Sequence, residues 1–245
     1  MVSVVGKMKQ GGKKPLPAQY VRPVPLAFMG ALALWGVVQQ WQSPEAFTLS
    51  TLAYVLGVSY LYTDYWLWML HCFLDRVENL ESKVSFVRTT AEEFQGHHAT
   101  PVDVLSANHL GEIDEQVLAF SVMGLLLGAW TSAATKLIVV LISFWGGVGG
   151  ANHFYGHAMT HGYDAPAFYT LGQKWGFLPT SKHHKQHHTA PFEENWNFLN
   201  GLHAVVYEPL YFATGSSYKG LAAMFYTLNP ACAQILAVGT ASLLA

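Results

Sequence analysis

The chain has 245 residues, 51% of them apolar and only 11% charged, with a formal net charge of −2. Soluble domains carry roughly 25% charged residues, so this composition points to a medium poorer than water, and the lack of a basic excess gives no support for a nucleic-acid partner. The two cysteines, Cys72 and Cys232, form no CxxC pair and outline neither a disulfide framework nor a zinc ribbon, whereas twelve histidines are a marked excess.

Residues 1–24 form a basic tail with no apolar core, which does not read as a cleaved secretory signal. An apolar segment follows from about Pro25 to Gln40, flanked by Trp35 and Trp41, and Pro44 breaks the chain before the next, from about Phe47 to Leu70. The apolar stretch from Val117 to about Phe154 is too long for one crossing, and a polar break near Thr131 to Thr135 divides it into a hairpin. Glycines at 146, 147, 149 and 150 suit close helix contact in its second arm. These segments predict an all-α integral membrane protein with about four transmembrane helices, and a histidine-rich helical cap on the N-terminal side of the membrane. Lys and Arg fall almost entirely on that side, with Lys136 opposite, which predicts that both termini are cytosolic or stromal. Such a protein would reside in the endoplasmic reticulum or plastid membrane of a eukaryote, or the inner membrane of a bacterium. Residues 25–220 form the predicted membrane domain, and 221–245, interrupted by Asn229-Pro230, are an apolar segment that is interfacial or a further span.

Four groups of residues carry chemistry. Asp64, His71 and Asp75 are spaced by seven and four, which places them on one helical stripe. Phe94 to Pro101 reads FQGHHATP, and its adjacent His97 and His98 cannot share a helical face, so they would grip different metals or need an irregular backbone. His157 and His161 form an HxxxH pair, a common two-point metal grip, extended upstream by His153. Residues 183–188 read HHKQHH, so His183 can meet His187 and His184 can meet His188 on a helix. A single HxxxH is often a surface histidine patch; four groups in one weakly charged chain are better read as a metal site. One tetrahedral zinc needs four ligands, and roughly double that number of imidazoles suits two first-row metals, iron among them.

At these residues the chain resembles the Kua/CarF-type lipid desaturases, a family that takes in plasmanylethanolamine desaturases and plastid phosphatidylglycerol desaturases. The likeness runs from Asp64 to Gly201 through Asp64, His71 and Asp75, FQGHHATP, HAMTHG (157–162) and LGQKWGFLPTSKHHKQHHTAP (171–191), and the FQGHH form is nearest the plastid branch. Cys72 stands where the family has Trp, and the stretch Glu193 to Asn197 departs from the family pattern. The resemblance implies O₂-dependent introduction of a double bond near the headgroup end of a glycerolipid acyl or alkyl chain. It implies two irons held by His71, His97, His98, His157, His161, His184, His187 and His188, with Asp64 and Asp75 as ligands or catalytic carboxylates. His153 and His183 are extra to the pattern and are candidates for orienting the ligands, while His109 and His203 have no assignment. No Gly-rich dinucleotide motif is present, so the electrons are expected from an external protein such as cytochrome b5 or ferredoxin. Hydroxylation at the same site and a non-enzymatic, histidine-lined metal transporter are the alternatives.

Overall fold

The computed structural model describes residues 48–100, 133–189, 192–196, 199–200 and 205–228, together with Leu34. The described residues form helices and no strand. The basic tail at 1–24, the apolar segment at 25–40 apart from Leu34, residues 117–132, the end of the C-terminal segment from 229 to 245, His109 and His203 lie outside them.

Helix α1 (Leu49–Leu74) is the longest element of the first half. Its first half buries Val55 against Ile138 and Leu141, and Leu67 lower down meets Leu199 in a smaller cluster. Its last turns bury Trp68, Met69, Cys72, Phe73 and Leu74 against Val87, Trp196, Tyr211 and Leu221. The helix stops at Leu74, and its terminal carbonyls need partners. Asn79, on the following 3₁₀ turn (Val77–Glu81), is fully buried and donates its amide to the Phe73 carbonyl, while its Oδ1 accepts from the Tyr218 hydroxyl at 2.7 Å.

Helix α2 (Ser85–Ala99) turns back toward the end of α1, and Gln95 donates to the Asp75 carbonyl. It is regular through His98 and ends just before Pro101, whose ring disfavours helical geometry in the residue before it. Helix α3 (Ala133–Thr160) lies along α1. Ile138 and Leu141 pack on Val55, and the Trp145 indole donates to Ser59 Oγ at 3.2 Å. Gly162, at φ +83°, closes α3: its N–H reaches the Met159 carbonyl and that of Tyr163 reaches Ala158, a left-handed cap that β-carbon sterics would resist. Helix α4 (Ala167–Lys174) carries Gln173, whose amide bridges the Tyr169 hydroxyl and the Pro179 carbonyl. That bridge fixes the entry to α5 (Ser181–His187), which packs on α3. Helices α6 (Tyr207–Ala213) and α7 (Tyr218–Ala223) bury Tyr211 and Leu221 under the end of α1.

One expectation is overturned. Among the described residues no helix is long and apolar enough to cross a membrane. The four-span integral-membrane architecture, the orientation read from Lys and Arg, and the membrane localisation drawn from it are therefore not supported. For α1 the cause is composition rather than length. Its 26 residues extend about 39 Å, more than a hydrocarbon core of roughly 30 Å. However, Ser50, Thr51, Ser59, Thr63, Asp64, four tyrosines and His71 are interleaved with its apolar residues. Ser59, Thr63 and Asp64 are fully buried, and Thr63 donates to the Ser59 carbonyl at 2.7 Å, so the polar groups face protein. In α3 the apolar run is cut short at Asn152, His153 and His157, all buried.

Candidate metal centre

The ends of α1, α2 and α3 and the whole of α5 converge, and each brings histidine. From α1 comes His71, fully buried, with Asp75 one turn beyond it. The last turn of α2 brings His97 and His98, α3 brings His153 and His157, and α5 brings His184 and His187 with His188 at its C-cap. Three overlapping sets result: His71, His97, His98 and His187; His97, His153 and His157; and His157, His184 and His188. Within each set the ring nitrogens lie within 4.8 Å of one another.

The contacts inside the sets are short. His98 Nε2 is 3.0 Å from His187 Nε2, His184 Nε2 is 2.6 Å from His157 Nε2 and 3.1 Å from His188 Nε2, and His157 Nε2 is 3.3 Å from His153 Nε2. A neutral imidazole carries one N–H, so one proton cannot serve every contact at the His157–His184–His188 junction. A cation between the rings removes that conflict by taking all the lone pairs. Two imidazole nitrogens about 2.1 Å from one ion, at right angles, are about 3.0 Å apart, which matches the observed spacing. His97 Nε2 is buried without a hydrogen-bond partner, as expected of a ligand atom.

Asp75 supplies the negative charge. Its Oδ2 is 3.2 Å from His187 Nε2 and 3.5 Å from His71 Nε2, and its Oδ1 is 3.4 Å from His98 Nε2. Three histidines of the first set thus face one buried carboxylate. His187 is oriented from behind: its Nδ1 donates to the Glu194 carbonyl at 3.0 Å, which leaves Nε2 as a lone pair aimed into the set. Phe192 stacks on His98 with ring centroids 4.9 Å apart, and His71 meets Phe94 edge-on.

Burial keeps the rings neutral. It pushes the pKa values of His71, His97, His157 and His184 well below the ordinary histidine value, and repulsion from neighbouring histidines pushes them further. His188 is pushed down to about 2 for the same reasons. For His98 burial again lowers the value, while the Asp75 carboxylate partly offsets it. A neutral ring is what a metal requires of histidine.

The expected site residues do not all meet. His71, His97, His98, His157, His184, His187, His188 and Asp75 come together. The His184–His188 pair forms as the i, i+4 spacing anticipates, but His183 turns aside to Thr180 Oγ1 at 3.5 Å, and His187 meets His98 instead. His97 and His98 enter the first set together from a regular helical turn, so adjacency demands neither an irregular backbone nor separate sets. His161 is partly buried beyond the end of α3 and lies outside the three sets. His153, one turn before His157, lies inside one of them. Asp64 is buried two turns before His71, about 10 Å along the axis. It lies outside the three sets, and its charge raises the pKa values of Tyr207 and Tyr60, behind the main effect of burial.

A family model described as the lipid desaturase domain matches residues 60–214, well over half of the chain. The chain belongs to the lipid desaturase domain family. The matched span opens four residues before Asp64 and closes after α6, so it holds every histidine of the three sets. Membership brings a desaturase-type oxidoreductase activity, a lipid substrate and the use of O₂ in general terms, and the histidine sets add the capacity to hold metal. No curated protein and no solved structure matches the chain. The likeness to the plastid branch in FQGHH therefore has no counterpart in these comparisons.

Proposed function

We propose that this protein is a di-iron lipid desaturase that introduces a double bond near the headgroup end of a glycerolipid acyl or alkyl chain. The observation that carries the reading is the convergence of eight buried or half-buried histidines and Asp75 in overlapping sets. The sets divide naturally in two. His71, His98, His187 and Asp75 would hold one iron. His153, His157, His184 and His188 would hold the other, and His97, with its ring 4.7 Å from His98 and 4.9 Å from His188, stands between them. When bound there, the iron pair supplies the O₂-derived oxidant that takes hydrogen from an unactivated C–H bond, chemistry beyond side-chain acids and bases.

The overall change removes two hydrogens from adjacent carbons and reduces O₂ to two waters, with two electrons and two protons supplied from outside. The chain has no dinucleotide motif, so the electrons come from a protein donor of the cytochrome b5 or ferredoxin type. The residues of the chain hold the ligand nitrogens neutral, keep Asp75 beside them as counter-charge, and exclude bulk water with Phe94, Phe192 and Trp196. Asp64 lies outside the three sets, and its charge acts on Tyr60 and Tyr207.

Lipid profiling of a host with and without the gene tests the reading. The expected result is a new double bond close to an ester or ether linkage in one glycerolipid class. A new hydroxyl at that carbon would instead establish the hydroxylase outcome, which shares the first hydrogen abstraction. An unchanged profile, with iron-loaded protein and both donor types co-expressed, would refute the proposal.

A further inference from the structure

The His187 Nδ1 hydrogen bond ends on a loop carbonyl, and that loop needs its own anchor. Residues 192–196 contain two non-glycine residues at positive φ, Phe192 at 65° and Asn195 at 59°. Bulky side chains rarely adopt this conformation, so neighbouring contacts must hold it. The loop touches both halves of the Asp75 set: the Phe192 ring stacks on His98, and the Glu194 carbonyl accepts from His187. Glu208, at the start of α6, is 5% exposed. Its Oε1 accepts the Trp196 N–H at 3.3 Å, and the Asn195 N–H also hydrogen-bonds to it. Trp196, whose N–H it accepts, packs its own ring on Tyr211 and Phe212. A carboxyl in such a place is costly unless its acceptors are used.

We propose that Glu208 is a positioning residue of the metal centre: by clamping the Asn195 and Trp196 amides it fixes the 192–196 loop, and through Glu194 and Phe192 it orients His187 and His98. The inference rests on the metal-binding reading of these histidines. Glu208 is not itself a member of the three histidine sets. Its role is that of a hydrogen-bond acceptor, so glutamine, whose amide oxygen accepts in the same place, serves in its stead. Leucine does not, and aspartate, one methylene shorter, falls short of the amides. Burial raises the Glu208 pKa to about 7 while the two backbone donors pull it down, in keeping with an acceptor held in a dry pocket.

Cobalt(II) titration of the full-length, metal-free chain, followed by its visible ligand-field bands, tests this without turnover. Loss of partners one layer outside a metal commonly costs about 10–100-fold in affinity. Glu208→Leu is expected to weaken cobalt binding at the Asp75 set by that factor and to shift its bands, and Glu208→Gln to restore both to within a few-fold of wild type. If Glu208→Leu does not fold, by circular dichroism, Glu208→Asp carries the test with the same expected loss. Wild-type affinity and bands in folded Glu208→Leu or Glu208→Asp would overturn the positioning role. A loss in Glu208→Gln equal to that of the other variants would overturn the acceptor account. Wild-type chain that takes up no cobalt would overturn the metal reading and this inference together.

Discussion

His187→Ala loses at least one of the two irons and lowers desaturation by more than about 100-fold, since even partners one layer outside a metal cost roughly 10–100-fold. Its Nε2 faces Asp75 at 3.2 Å and His98 at 3.0 Å, while its Nδ1 is tied to the Glu194 carbonyl. Removing it also leaves a cavity next to Trp196, whose ring centroid lies 6.5 Å from that of His187. The check is iron content together with product formation on folded variant. A His187→Ala protein that keeps both irons and turns over at the wild-type rate would remove His187 from the centre.

Asp75→Asn has a narrower expected effect. The carboxylate faces His71, His98 and His187 but none of His153, His157, His184 and His188. Neutralising it removes the counter-charge of one iron and leaves the other set intact. The expected outcome is about one iron per chain, with affinity at the altered position down by about 10–100-fold, and loss of desaturation because both metals are needed. Asparagine preserves the size of the side chain, so the fold is retained. Iron and activity unchanged in Asp75→Asn would show that Asp75 is merely a buried partner of neutral histidines. A loss of both irons would mean that the two sets are not independent and that His97 ties them together.

Much of the site could be read before the fold was known, because its ligands obey local rules. HHKQHH places His184 and His188 one turn apart on any helix, and the pair is found so. His71 and Asp75 share a stripe for the same reason. What local spacing does not contain is which face turns inward. His153 and His161 both lie four residues from His157, and only the packing of α3 against α5 selects His153 for the sets. His183 and His187 share a face in sequence, but the approach of α2 draws His187 to His98. Glu208 is separated from His187 by twenty positions and acts through backbone amides of a loop, so the only local signal was a carboxylate set in the apolar run Tyr207 to Ala213.

The membrane architecture failed for an instructive reason. Average composition is a statement about the whole chain, whereas a crossing demands an unbroken apolar stretch. Along α1 the hydroxyls, tyrosines and Asp64 are spread through the helix, with Ser59, Thr63 and Asp64 buried and the tyrosines half-buried. Trp145, Tyr60 and Ser59 illustrate the consequence: apolar bulk and a hydrogen bond coexist in one helix–helix contact.

The central claim is that two irons sit in the histidine sets, and elemental analysis of full-length protein purified from iron-replete cells tests it most directly. About two irons per chain are expected for two sets of imidazole-rich ligands. Stoichiometric zinc without iron, or a chain that binds no metal although all four helix ends are folded together, would contradict it.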